Sequence, residues 1–131
     1  MLRNKLTYIL LALAAVVTIY IAGIFLPPSD SILSIQNNTD VTISGLKIIY
    51  SNSLNDTKVP EILPKQLYKA KLILPENFFE GSIKISYTDK QGANHEEYLS
   101  PYIEKSYTVK INVNIDSVDN NGVLSININN S

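Results

Sequence analysis

His95-Glu96-Glu97 is the one place where the chain sets a histidine beside carboxylates. A general base or metal ligand of that kind needs partners at defined spacing, and His-Glu-Glu fits no metalloprotease pattern. His95 therefore reads as an exposed side chain on a polar strand, with no evident orienting partner. Serines are plentiful, yet none sits in Gly-x-Ser-x-Gly, so nucleophilic catalysis has no foothold. Asp116 to Gly122 is rich in oxygen donors, but it departs from the calcium-loop pattern and lacks the distal Glu; a hairpin turn accounts for it. Glu76 and Glu80 could serve a glycosidase only if held a few ångströms apart across a cleft, and the sequence marks no cleft. The expectation is no enzyme, no metal and no cofactor.

What remains is the chemistry of contact. Phe78 and Phe79 fall in a loop, and Tyr98, Tyr102 and Tyr107 surround the turn at Pro101. Loop aromatics offer a large contact area at low entropic cost, so these five are the candidate partner-binding residues. The competing reading is that two or three of them cap the ends of a core.

The elements that must position these residues show period-2 alternation and no sustained helical stripe. Strands are expected at Ser31–Asn37, at Val41–Ser51 with a bulge at Ser44-Gly45, at Leu67–Leu74, at Ser82–Thr88 and at Ala93–Ser100. Two more run from Tyr107 to Ser117 and from Val123 to Asn129. Pro60 makes Lys58–Leu63 an edge strand or an irregular connection, and Pro101–Lys105 reads as a loop. Asp89-Lys90-Gln91-Gly92 and Asp119-Asn120-Asn121-Gly122 are hairpin turns, the second predicted as type I′ from Asn-Gly. Turns every ten residues or so describe an all-β fold, an immunoglobulin-like β-sandwich of seven to eight antiparallel strands, without the Trp and paired Cys of true immunoglobulin domains. A small barrel is the alternative.

Ahead of this domain, Leu6 to Leu26 is an unbroken apolar run with Arg3 and Lys5 before it and Pro27-Pro28 after it. A run of about 20 apolar residues matches a bilayer core of about 30 Å, so one transmembrane helix is expected at 6–26. The flanking charges put a tail at 1–5 in the cytoplasm, and residues 27–30 form a linker to an extracytoplasmic domain at 31–131. The run exceeds the about 7–15 apolar residues of a cleaved signal, and Ala22 would place Tyr20 at a small-residue position; an uncleaved signal anchor is the preferred reading and a secreted, cleaved form the alternative. A lipid-modified cysteine and disulfides are excluded, because the chain has no Cys.

Beyond the apolar run, nine lysines face twelve acidic residues with no block of like charge, which argues against nucleic acid as a partner. Asn-x-Ser/Thr sequons stand at Asn37, Asn55 and Asn129, and would be glycosylation sites only in a eukaryotic secretory context.

The runs Gly45–Tyr50, Gly81–Asp89 and Tyr102–Tyr107 resemble small uncharacterised single-pass membrane-anchored proteins of Gram-positive bacteria. The resemblance implies location and fold, and brings no activity with it. The functional expectation is an extracytoplasmic interaction module at the plasma membrane, binding a protein or cell-envelope partner through loops or a sheet edge at Pro60 or from Ala93. The alternatives are an envelope glycan or peptide hydrolase with a carboxylate pair, or an accessory or immunity-type subunit of another membrane protein.

Overall fold

The computed structural model describes the backbone of residues 2–25 and 30–131, and the side chains of residues 4–17 and 30–131. One helix, α1 (Leu2–Phe25), precedes eight strands: β1 (Ile32–Asn37), β2 (Lys47–Tyr50), β3 (Thr57–Lys58), β4 (Leu67–Lys71), β5 (Glu80–Thr88), β6 (Asn94–Glu104), β7 (Lys110–Val118) and β8 (Leu124–Asn130). The strands form two four-stranded sheets, ordered β4-β1-β7-β8 and β3-β2-β5-β6. Hairpins β2–β3, β5–β6 and β7–β8 stay within a sheet, and the other connections cross between sheets.

Alternation explains which face each strand buries. Leu33 and Ile35 of β1, Ile48 and Tyr50 of β2, Ile83, Ile85 and Tyr87 of β5, Leu99 and Ile103 of β6, and Ile111, Val113 and Ile115 of β7 join in one buried cluster between the sheets. Each fully buried branched side chain contributes roughly 1.5–3 kcal/mol by leaving water, which is what a two-layer domain without disulfides must rely on.

Four sequence expectations need correction. The strands are not all antiparallel, because β1 pairs with β7 in parallel, Leu33 opposite Ile111 and Ile35 opposite Val113. The second expected strand shrinks to Lys47–Tyr50: Gly45 takes φ +77, a left-handed conformation that breaks the strand, and Ile43 keeps only an isolated bridge to Ile62. Pro101 does not end β6, which continues to Glu104. Because β6 is an end strand, proline's missing N–H can face outward, and register irregularities between Gly81 and Lys84 absorb the extra residues. The Asn120-Asn121 turn is not type I′, since neither asparagine has a positive φ; Gly122, at φ +82, makes it a type I turn with a left-handed glycine.

Asn37 cannot carry a glycan. It is fully buried, its Nδ2 donates to the carbonyls of Val41 and Ile62 at 2.8 and 3.0 Å, and its Oδ1 accepts from the Thr39 hydroxyl at 2.7 Å. A buried amide with both ends satisfied is a structural tie, fastening the end of β1 to two loops.

Among the described residues no helix is long and apolar enough to cross a membrane. The span expected at 6–26 is therefore not what they show: α1 is described to Phe25, but its described side chains, 4–17, are fewer than the about 20 apolar residues that a crossing needs. The side chains at 18–26, and most of the linker expected at 27–30, lie outside the described residues. The side chains at 4–17 are all exposed, and among the described residues α1 makes no contact with any strand.

Candidate functional site

The five aromatic candidates do not form one patch. Phe78 is 2 % exposed and meets the ring of Tyr50 edge-on, centroids 6.1 Å apart at 73°, so it belongs to the core and is withdrawn as a contact residue. Its neighbour Phe79 is 76 % exposed. Tyr102 is tied to the residue that follows Phe79: the Tyr102 hydroxyl is 2.8 Å from Glu80 Oε2 and 2.9 Å from Glu104 Oε1, and the Lys105 N–H donates to the Phe79 carbonyl at 2.8 Å. Hydrogen bonding to Glu80, then to Glu104, holds the Tyr102 phenol well above its ordinary pKa. Tyr107 is tied to the same end of β6 by its N–H on the Glu104 carbonyl, 3.0 Å.

Tyr98 sits apart, on the outer face of the β5–β6 pair. Lys84 Nζ lies 4.8 Å from its ring centroid and donates to Glu96 Oε2 at 2.8 Å. That hydrogen bond raises the Lys84 pKa and lowers that of Glu96. Both groups are partly exposed, so the pair adds little stability.

His95 has the orienting partner that sequence reasoning missed. Its Nε2 lies 2.8 Å from Asp89 Oδ2, and its ring stacks on Tyr87, centroids 4.9 Å apart at 10°. The other oxygen, Oδ1, accepts the Gln91 and Ala93 N–H groups at 2.9 Å each. His95 and these backbone donors hold the Asp89 carboxyl below its ordinary range, in that order. The register could have revealed this. A three-residue loop after Asp89 puts His95 opposite Tyr87 by counting alone.

Among the described residues, none of four well-formed cavities holds two carboxylates, and none of the four is lined by His95, Glu76, Glu80, Glu96 or Glu97. The largest, ≈ 460 Å³, lies between the two Asp-x-x-Gly turns and the segment Val41–Ser44. A second, ≈ 270 Å³, opens between β3 and β4, the end strands of the two sheets. Its walls are Leu33, Ile48, Val59 and Leu72, with Ala70 leaving room where a larger residue would fill the gap. Tyr50 and Tyr68 line it too, and burial pushes the Tyr50 phenol up, partly offset by a hydrogen bond with Thr57.

The surroundings of this cleft are basic. Lys47 and Lys58 stand directly opposite each other on β2 and β3, and among the described residues no carboxylate forms a salt bridge with them or with Lys69 of β4, whereas Lys71 and Lys65 bind Asp30 and Asp40 at 2.8 and 3.3 Å. Like charges directly opposite on a ladder are destabilising, so the Lys47–Lys58 pair is a cost the fold retains. Fold and site together define a two-layer all-β domain with an open, apolar, lysine-flanked cleft at one edge. No family model, no curated protein and no solved structure matches the chain.

Proposed function

We propose that the chain is a membrane-tethered extracytoplasmic interaction module that takes an extended, acidic segment of a partner along β4. The observation that carries this reading is the β3/β4 cleft. The outer edge of β4 is unpaired, its inward residues Tyr68 and Ala70 open onto an apolar cavity, and unpaired lysines stand around it. Strand addition supplies backbone hydrogen bonds for affinity and a pocket under alternate side chains for specificity. Phe79, Tyr98, Tyr102 and Tyr107 are exposed aromatics, each available as a secondary contact.

Tethering is supported by the sequence. Leu6 to Leu26 carries no charge, and the described part of α1 exposes apolar side chains on all sides without touching the sheets. A helix apolar all round needs an apolar environment, and Arg3 and Lys5 favour a cytoplasmic N-terminus. The order β3-β2-β5-β6, with β4 beside β1, supports an immunoglobulin-like assignment, to which β7 adds a strand that runs parallel to β1, unlike the antiparallel neighbours of that fold. The resemblance to small membrane-anchored β-domain proteins points the same way.

The test is binding of two labelled heptapeptides to the full chain in detergent, one alternating Asp with Val and one alternating Lys with Val. Preference for the acidic peptide, lost in Ala70→Trp and in Lys69→Glu, is expected; equal binding of both peptides, or none, overturns the reading. Extraction of the chain from membranes by alkaline carbonate would overturn the tether.

A further inference from the structure

The four end strands differ in how they are protected against pairing with the same edge of a second copy. β3 is two residues long, β4 carries Lys69 and Lys71, and β6 carries Pro101, two register irregularities and Glu97, which lies opposite core-facing Ile85. These are the devices that keep an edge from pairing with a second copy of itself; the lysines of β4 repel another β4 while leaving that edge open to an acidic segment. β8, Leu124-Ser-Ile-Asn-Ile-Asn-Asn130, has no charge, no proline and no glycine, and the single register irregularity of its pair with β7 lies on the β7 side, between Ile115 and Ser117. Leu124, Ile126 and Ile128 are only partly buried although they pack on the core.

We infer that β8 pairs with β8 of a second copy of this chain, antiparallel about a two-fold axis at Asn127, joining two four-stranded sheets into one of eight. The backbone sets this register. Lys110 and Ser131 exchange both hydrogen bonds, 2.9 and 3.0 Å, so going back along β8 the residues that bond β7 are Asn129 and Asn127. Ile126 and Ile128 consequently turn their N–H and C=O groups outward. At one end of the strand the outward N–H of Leu124 is already taken by the Tyr87 hydroxyl at 3.0 Å. At the other, the Asn130 side chain is held on the Leu99 carbonyl at 2.6 Å. The free edge is therefore centred on Asn127, and a two-fold there sets Ile126 against Ile128 of the second copy twice over, which satisfies all four groups.

Charge makes a second copy the fitting occupant. On the outer face Asn127 and Asn129 lie beside Asn114 and Asn112 of β7, so the joined strands meet amide to amide with no like charges opposed. On the inner face the half-exposed isoleucines of each copy cover those of the other. The pairing uses the edge of the β7–β8 pair and is independent of the β3/β4 cleft.

The chain has no cysteine, which makes single-cysteine crosslinking in membranes or detergent a direct test. Opposed residues in a non-hydrogen-bonded antiparallel pair have Cα atoms about 4.5 Å apart, within disulfide range. Asn127→Cys should yield most of the full-length chain as a disulfide dimer under mild oxidation. Asn129→Cys, with its two copies about 13 Å apart along the strands, should yield at least tenfold less. Adding Ile128→Pro, which removes an outward N–H without touching the β7 ladder, should abolish the Asn127→Cys product. Equal crosslinking at 127 and 129, crosslinking insensitive to Ile128→Pro, or a monomer at all concentrations by sedimentation of the unmodified chain overturns the inference.

Discussion

The turns Asp89–Ala93 and Asp119–Val123 are built on one plan, yet only the first is locked to a side chain across its hairpin. In each, the aspartate N–H bonds the carbonyl four residues on (2.9 and 3.0 Å), the glycine N–H returns to the aspartate carbonyl (3.1 and 3.0 Å), and Oδ1 gathers two further N–H groups. Six residues past the first aspartate stands His95, which binds Oδ2; six past the second stands Ser125, which does not. The turns also touch: the Lys90 N–H donates to the Asn121 carbonyl at 2.9 Å, and Lys90 Nζ to the Asn120 carbonyl at 3.2 Å. The same local chemistry thus makes a plain turn on β7–β8 and a clamped one on β5–β6. In the clamped turn the histidine and carboxylate are spent on each other and on Tyr87, and neither lines any of the four cavities, although Tyr87 itself borders the largest.

The largest expected effect comes from removing the platform beneath the clamp. Tyr87 stacks on His95 and its hydroxyl accepts the Leu124 N–H at 3.0 Å, so it joins the first hairpin to the start of the second. Tyr87→Ala should cost about 3–5 kcal/mol, the range for emptying a buried aromatic site. The fall in Tm should be roughly 12 °C or more for a domain of this size. Tyr87→Phe keeps the stack and loses only the hydroxyl contact, at about 1 kcal/mol. Equal losses in the two variants, measured by thermal unfolding, would show that the stack contributes nothing to the clamp.

A smaller difference separates the two glycines. Both take the left-handed conformation, φ +85 at Gly92 and +82 at Gly122, so alanine costs about 1–2 kcal/mol at either. A Cβ at Gly92 would meet open space, whereas at Gly122 it would lie 3.1 Å from Lys90 Cγ and 3.3 Å from the Lys90 nitrogen. Gly122→Ala should therefore lose a further ~1 kcal/mol through crowding of the neighbouring turn. Matching denaturation midpoints for the two alanine variants would mean that the turns do not press on each other.

The positions of both turns were legible in the sequence because Asp and Gly at fixed offsets are the chemistry such turns demand, although the second did not take the expected type I′ geometry, and alternation placed strands where β1, β5 and β7 lie. The parallel β1–β7 pair was not legible. Alternation assigns residues to faces but says nothing about which strand lies alongside, and these strands are separated by most of the domain. Pro101 read as a terminator because proline's effect depends on whether a strand is central or terminal, which only the assembled sheet decides. Phe78 and Phe79 show the same limit at single-residue scale. Adjacent and chemically identical, one faces Tyr50 in the core and the other faces solvent, and no local pattern distinguishes them. The Lys47–Lys58 opposition and the unprotected edge of β8 likewise become visible only once partners across the sheets are known.

The smallest effect, and the most specific, separates the two aspartates by pH. Asparagine can accept the same turn N–H groups as aspartate, so Asp119→Asn should leave stability within about 0.5 kcal/mol at any pH where the domain is folded. Asp89→Asn keeps the turn but removes the carboxylate that faces His95. The Asp89 carboxyl titrates below its ordinary 3.8, so its stabilising contribution is fully present above that unfolded value and is lost as pH falls through the lower folded one. At neutral pH Asp89→Asn should thus be less stable than the unmodified protein and than Asp119→Asn, and the gap should close on acidification below the carboxylate range. Urea unfolding at a series of pH values measures it. A gap that persists unchanged at the acid end would assign the difference to lost shape rather than lost charge. The clamp would then be a packing contact between Asp89, His95 and Tyr87 instead of an electrostatic one.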